Sequence, residues 1–300
     1  MAGQFKKEKS RVTGDGSITF FNSEFKEHYH SLVGAREEAL AKYIIPSQFE
    51  EQFGDMRGGS ENLLFQRDKP VGDSFMEQRD KPAGDTVSVL DVCFGLGYNT
   101  LLAIEKAVEC GGYLNVTALE IDKNVVRDAS QYFDSDWSDI LAGLYDNAEY
   151  AADNFNIEMM WGDARESCKS LINSGKRRYD LIYHDPFSTQ RNAQLWTVDF
   201  FRKLSQLLKP GGLVLTYSTA IPVLVGFIEA GFYVGKTEAV GTQRIGTVAT
   251  KNKELIKYPY HEKELGVIIN SVKSIPYRDE SQCGDNGQIL KERNEKVVRK

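Results

Sequence analysis

Apolar residues along this chain recur in two alternating rhythms. From Thr86 onward, short apolar runs flanked by polar or glycine positions predict strands. The longer stretches between them, with apolar residues every three or four positions, predict helices. Strands are predicted at 87–93, 115–121, 157–161, 179–184 and 213–218. Helices follow at about 99–110, from 123, at 164–173, 193–208 and up to Ala230, with a further helical stretch near 136–153. Lys209-Pro210-Gly211-Gly212 reads as a helix stop. Five strand–helix units in series require right-handed crossovers and a largely parallel sheet covered on both faces. Two closing strands, 232–239 and 246–251, suit a hairpin edge.

Before this block the pattern is less regular. Residues 1–12 read as a flexible arm, and T-G-D-G-S-I-T-F-F, starting at Thr13, as a short hairpin. Gly34–Ile45 is predicted helical and closed by Pro46. Residues 47–85 dissolve into glycine, proline and charge, with a near-repeat, Q-R-D-K-P-V-G-D and Q-R-D-K-P-A-G-D, at Gln66 and Gln78. After Lys257 one helix, about 261–272, is expected, and then a disordered polar tail. The division is thus an N-terminal extension (1–85), a sheet domain (86–257) and a C-terminal helix with tail (258–300).

The chemistry concentrates at the strand ends, where open α/β sheets bind ligands. V-L-D-V-C-F-G-L-G-Y-N, from Val89, ends a strand in Asp91, places Gly95 and Gly97 in a turn, and starts a helix near Asn99. Glycine lets a ligand approach the backbone, and the free N–H groups of a first helical turn point at it. Glu120, Asp163 and Asp185 follow the next three strands. A carboxylate at Glu120 suits two ribose hydroxyls, and one at Asp163 an adenine amino group. Each alone also suits a helix cap; four in register with the glycine turn point to a nucleoside cofactor.

The spacing Asp-x-x-x-Gly-x-Gly resembles the first motif of S-adenosylmethionine (SAM)-dependent methyltransferases, with Cys93 where the first of three glycines usually stands. The chain further resembles the methyltransferase module of the MnmC family, the tRNA 5-methylaminomethyl-2-thiouridine enzymes. Asp185, Phe187, Asn192 and Trp196 match its D-G-F-A-P-x-x-N-P-x-x-W segment. Thr216, Tyr217, Ser218 and Ala220 match T-Y-S-x-A, and Phe94, Gly95, Gly97 and Asn99 match its glycine turn. Tyr29, Ser31, Gly34 and Glu38 match an N-terminal Tyr-x-Ser...Gly...Glu segment. The resemblance runs from about Thr13 to Arg278. Departures are Cys93 for a glycine, which is expected to alter the turn, and Pro186 for the glycine after Asp185, which stiffens that loop.

The resemblance implies a Rossmann-like SAM-dependent fold with a mostly parallel seven-stranded sheet. It implies SAM bound by Asp91, Gly95, Gly97, Asn99, Glu120 and Asp163, with Asp185 as the catalytic carboxylate. Tyr29, Ser31, Glu38, Phe187, Asn192, Trp196 and Tyr217 are then substrate-binding, with Phe187 and Trp196 able to stack on a flipped-out base. The acceptor implied is the aminomethyl group of a tRNA wobble uridine. His184, at alternate-strand phase to Asp185, is a weaker candidate base. No second dinucleotide fold is evident, so the chain is expected to act without the flavin oxidoreductase domain of bifunctional relatives.

Charge and cysteine content adjust this picture. The formal net charge is −6, which favours a small-molecule amine as acceptor over a polynucleotide. The acids cluster between Glu120 and Asp163, however. Bases gather in the first eleven residues, at Lys176-Arg177-Arg178 and in the C-terminal tail, where tRNA would dock. A non-catalytic SAM-binding protein would not need Asp185 beside aromatic residues, and an aminopropyltransferase would need a G-G-G-D-G turn. Four dispersed cysteines, with no C-x-x-C pair, suit reduced thiols in the cytoplasm and suggest no metal. No apolar run is long enough for a membrane span.

Overall fold

The structure, a computed structural model, describes residues 10–53, 86–175, 178–241 and 244–299. The arm at 1–9, the near-repeat, and Lys176 and Arg177 therefore lie outside the described residues.

Strands β1 (Ser10–Val12), β2 (Ile18–Asn22) and β3 (Glu27–His28) form a small antiparallel sheet, so the predicted hairpin is present and its first strand takes in the end of the expected arm. Helix α1 (Ala35–Ala39) continues through a π turn (Leu40–Ile44) into α2 (Ile45–Ser47), followed by α3 (Phe49–Gln52). Pro46 does not end this helix as expected. It lies inside the last turn of the continuous helical segment, and Gln48 in left-handed conformation makes the break.

The main sheet uses β4 (Thr86–Val92), β5 (Tyr113–Glu120), β6 (Glu149–Ala152), β7 (Phe155–Trp161), β8 (Tyr179–His184), β9 (Leu208–Thr216), β10 (Tyr233–Lys236), β11 (Thr247–Thr250) and β12 (Tyr258–Pro259). Their order is β12-β10-β11-β9-β8-β4-β5-β7-β6, with β9, β8, β4, β5 and β7 mutually parallel. Nine strands stand where seven were expected. Two short edge strands account for the difference: β12 pairs with β10, and β6 pairs antiparallel with β7. β6 lies inside the predicted 136–153 helix, which ends at Ala148 in left-handed conformation. The Lys209–Gly212 segment is also not a simple stop. It bulges within β9, because Tyr179 faces Leu208 whereas Leu181 faces Leu213.

Strand alternation feeds two cores. Val87, Val89, Leu181 and Tyr183 face α4 (Tyr98–Glu109), α5 (Lys123–Ala129), α6 (Ser135–Asn147) and the N-terminal helical segment. Leu90, Val92, Ile182 and Val214 face α7 (Ala164–Ser174), α8 (Val198–Leu207) and α9 (Ile221–Glu229). α10 (Glu262–Asn270) follows, and the tail expected to be disordered forms α11 (Asn286–Arg299), anchored by buried Ile289. Among the described residues no helix is long and apolar enough to cross a membrane. The chain leaves β4 outward to β5 and β7, then returns to β8 on the other side of β4, so a crevice opens above the β4 and β8 ends.

Candidate active site

The glycine turn follows β4. The N–H groups of Cys93 and Phe94 both donate to the Leu119 carbonyl at 3.0 Å, and Gly97 caps α4. Gly95 and Gly97 have φ of 59° and 91°, and a Cβ on Gly97 would lie 2.8 Å from the Phe94 ring. Cys93 holds φ 69°. The turn therefore keeps the path a glycine would take, contrary to the expected alteration, and the cysteine Cβ bears about 1–2 kcal/mol of strain.

The acids at the strand ends divide their labour. Glu120 Oε2 accepts from Gly95 N at 2.8 Å, while Oε1 accepts from Ile121 N and Asp122 N at 2.9 and 2.8 Å. It thus fastens the end of β5 to the glycine turn, and burial pushes its pKa up. Asp91 is fully buried and receives Thr100 Oγ1 at 2.6 Å. Burial raises its pKa to about 7. Asp163 caps α7 through Arg165 N at 2.8 Å and pairs with the Arg165 guanidinium at 2.7 Å. Burial works against its ionisation, but the Arg165 bonds prevail and hold it below the ordinary range.

A cavity of about 540 Å³ runs past Cys93, Glu120, Ile121, Gly162 and Asp163. Its other walls come from the β2–β3 hairpin tip at Phe25 and from Asn286 at the start of α11. Arg165 draws the C-terminal strap to this wall through Asp279 and the Gly284 carbonyl, both at 3.0 Å. Asn286 is tied to Ala193 N at 2.7 Å and to Gln190 O at 2.9 Å.

Asp185 sits where β8 meets β4, its N–H donating to the Val92 carbonyl at 3.1 Å. Asn99 Nδ2 donates to Asp185 Oδ2 at 2.9 Å. Burial, reinforced by the Glu38 charge, pushes Asp185 up to about 7, while hydrogen bonds from Tyr43 and Asn99 pull the other way. The loop beyond it is held on every side. Ser188 N and its hydroxyl donate to Glu27, Tyr217 Oη donates to Pro186 O at 3.0 Å, and Trp196 Nε1 donates to Phe187 O at 2.8 Å. Phe187 stacks on Phe25 at 4.6 Å and tilts against Tyr29 at 5.0 Å.

These features fit a cofactor that is cationic at its reactive end. Asp91 Oδ1 and Asn99 Oδ1 are buried acceptors without a hydrogen-bond partner, and an ammonium or sulfonium group nearby would relieve them. A family profile described as S-adenosyl-L-methionine-dependent methyltransferase matches residues 124–252. The structure superposes on MnmC2 from Aquifex aeolicus with a TM-score of 0.74 at 25% identity, covering 97% of this chain and 85% of that one. The chain is an SAM-dependent methyltransferase. An uncharacterized protein of Methanocaldococcus jannaschii is 29% identical over 95% of this chain and 71% of its own length. The tRNA 5-methylaminomethyl-2-thiouridine biosynthesis bifunctional protein MnmC of Thiobacillus denitrificans is 32% identical over 117 residues. That stretch is 38% of this chain and 18% of the relative, so the match covers less than a fifth of that protein.

Of the expected cofactor residues Asp91, Gly95, Gly97, Asn99, Glu120 and Asp163, Glu120 and Asp163 line the cavity, Gly95 is hydrogen-bonded to Glu120, and Asn99 reaches Asp185. The expected acceptor set is split. Tyr29, Glu38, Phe187 and Tyr217 surround Asp185 or its loop, and Ser31 N donates to Glu38 at 3.0 Å. Asn192 turns to the cofactor cavity instead. Trp196 is fully buried against His184 and Tyr217, so it supports Phe187 from beneath and offers no face for a base. His184 is likewise buried, among Trp196, Phe200 and Phe201, with its pKa pushed down to about 3 by burial, and faces away from the role of base. Sequence reasoning missed Tyr43, Phe25, Arg165 and Asn286. For Asn286 a signal existed: Asn-Gly before an I-L-x-x-x-x-x-x-V-V pattern is a helix start.

Proposed function

We propose that this methyltransferase converts the aminomethyl group of a tRNA wobble (2-thio)uridine to methylaminomethyl. The observation that carries the reading is Asp185. It is a half-buried carboxylate that accepts from the neutral Asn99 amide, and the loop that follows it carries Phe187 to the Phe25–Phe187–Tyr29 aromatic group. The similarity to MnmC proteins supports the choice of substrate.

SAM supplies an electrophilic methyl group on a sulfonium. The chain's own residues do the rest. The glycine turn and Glu120 fix the nucleoside end, and Asp163 with Arg165 closes the adenine end. Asp185 meets the acceptor as an ammonium, orients it and takes its proton, which frees the lone pair for in-line attack. A carboxylate raised to about 7 is closer in basicity to an alkylamine than an ordinary aspartate, so this proton transfer is less uphill. Phe187 and Tyr29 flank the place of the base. Such an enzyme works in the cytoplasm.

The test is incubation of the purified protein with labelled SAM and either tRNA bearing the aminomethyl wobble uridine or a panel of small amines. Label in the tRNA, lost in Asp185→Asn, is expected. Label only in small amines would favour the second reading, an amine methyltransferase, to which the net charge of −6 lends support.

A further inference from the structure

The N-terminal helical segment carries a lysine whose ammonium is buried without a hydrogen-bond partner. The π turn at Leu40–Ile44 adds a residue to the helical repeat, a local change that recurs at functional sites. It turns Tyr43 to the sheet, ring edge-on to Tyr183 at 5.6 Å and hydroxyl 3.5 Å from the His184 carbonyl. Lys42, beside it, is only 2% exposed, and among the described residues nothing accepts from its Nζ. Gly246 makes room for the stem: a Cβ there would lie 3.2 Å from Lys42 Cδ and 2.6 Å from the Thr216 carbonyl. Thr247 pairs with Thr216 across β11 and β9, so the register sets Gly246 beside Tyr217. Tyr217 in turn holds the Pro186 carbonyl at 3.0 Å, one residue from Asp185. Lys42 thus lies over the C-terminal end of β9, next to the acceptor loop. Glu38, four residues earlier on the same helical face, keeps one oxygen on Ser31 N at 3.0 Å and supports the Lys42 charge against burial.

A buried ammonium without an acceptor is costly, and a ligand that supplies one relieves it. Glu38 and Asp185 already bring negative charge to this side, which disfavours a phosphate or carboxylate as that ligand. A neutral carbonyl oxygen takes the hydrogen bond without adding charge. We propose that the Lys42 ammonium is the specificity-determining donor of the acceptor pocket, taking the C4 carbonyl oxygen of a uracil whose C5 aminomethyl group is held at Asp185. This rests on the reading of the acceptor given above. On such a base the two groups stand on adjacent ring carbons, so one carboxylate and one ammonium read them together. A cytosine carries an amino group at C4 and would set a donor against Lys42.

The experiment compares two anticodon stem-loops, with 5-aminomethyluridine or 5-aminomethylcytidine at the wobble position. Methyl transfer from labelled SAM is measured on each, and separately binding in the presence of S-adenosylhomocysteine. Wild type should favour the uridine loop by roughly tenfold or more in both measurements. Lys42→Met keeps the stem against Gly246 and removes only the ammonium, so it should melt no lower than wild type. It should bring the uridine loop down to the cytidine level, leaving the cytidine values and SAM affinity unchanged. Lys42→Gln, whose amide accepts as well as donates, should abolish the preference by raising the cytidine values instead. Equal losses on both loops, a preference undiminished in the variants, or no preference in wild type would overturn the proposal. A binding preference that Lys42→Met abolishes, with neither loop methylated, would uphold Lys42 and defeat the methyl-transfer reading.

Discussion

Asn99 and Asp185 meet amide to carboxylate across 2.9 Å, although they lie on different strand–helix units. The contact joins the first turn of α4, which frames the cofactor side, to the loop that faces the acceptor. Asn99→Ala should therefore weaken both halves, lowering SAM affinity and turnover together. Asn99→Asp keeps the shape but sets a second carboxylate against Asp185, and its turnover should fall further. Calorimetry and initial rates on the two variants decide it; full activity in Asn99→Asp would show that the contact contributes nothing.

One buried and one half-buried carboxylate make the free enzyme less stable at alkaline pH. Asp91 and Asp185 rise from 3.8 to about 7 on folding. Between those values the folded state binds more protons than the unfolded chain, so stability falls as pH rises through the window and the loss is complete above it. Asp185→Asn removes one such group. It should melt roughly 2–4 °C above wild type near pH 8, with the gap closing as pH falls toward about 4. Equal melting temperatures throughout would mean that folding does not raise the pKa of Asp185.

Strain at Cys93 gives a separate forecast. Cys93→Gly relieves the left-handed penalty of about 1–2 kcal/mol but adds about 0.5–1 kcal/mol of unfolded-state entropy, so urea midpoints should stay level or rise slightly. Cys93→Val should lose stability, since a branched side chain tolerates that conformation poorly. Burial, then the Glu120 and Asp185 charges, keep the Cys93 thiol protonated. Iodoacetamide should therefore label exposed Cys283 well before Cys93.

Arg165 holds Asp163, Asp279 and the Gly284 carbonyl together. Arg165→Met should loosen the strap, speed amide exchange over 279–289 and weaken SAM binding by roughly tenfold. If exchange there is unchanged, the strap closes without this side chain.

Acceptor selection follows from the acids around Asp185. Asp185 and Glu38 lie near Tyr43 and Tyr217, with Lys42 beside Glu38, and an ionised Asp185 attracts a cationic acceptor and repels an anionic one. The enzyme with SAM alone should methylate aminomethyl tRNA and leave carboxymethylaminomethyl tRNA unchanged, since the latter brings a carboxylate to the same place. Mass spectrometry of digested tRNA reads both products, and equal conversion would refute this selection.

Much of this was legible because the signals were local. β8, Tyr179–His184, falls where its apolar run says, and Glu120 and Asp163 line one cavity with Cys93 of the glycine turn. β6 was not, because Glu149-Tyr-Ala-Ala suits a helix as well as a strand; pairing with β7 decides it. The roles of Trp196 and Tyr43 depend on which way a helical segment faces. For Tyr43 that is set by a π turn, which leaves no mark in an ordinary helix-forming sequence. α11 escaped because its composition is that of a solvated tail, and its order comes from Ile289, Asn286 and the Arg165 network.

The stack of Phe25 on Phe187 has a kinetic consequence. Phe25 lines the cofactor cavity, while Phe187 belongs to the acceptor loop. An acceptor seated against Phe187 would brace the hairpin tip over the cavity that Phe25 lines. Turnover is therefore expected to run in compulsory sequence, methyl donor in first and its demethylated remnant out last. The steady-state signature is competitive inhibition by that remnant against the donor and mixed inhibition against the acceptor.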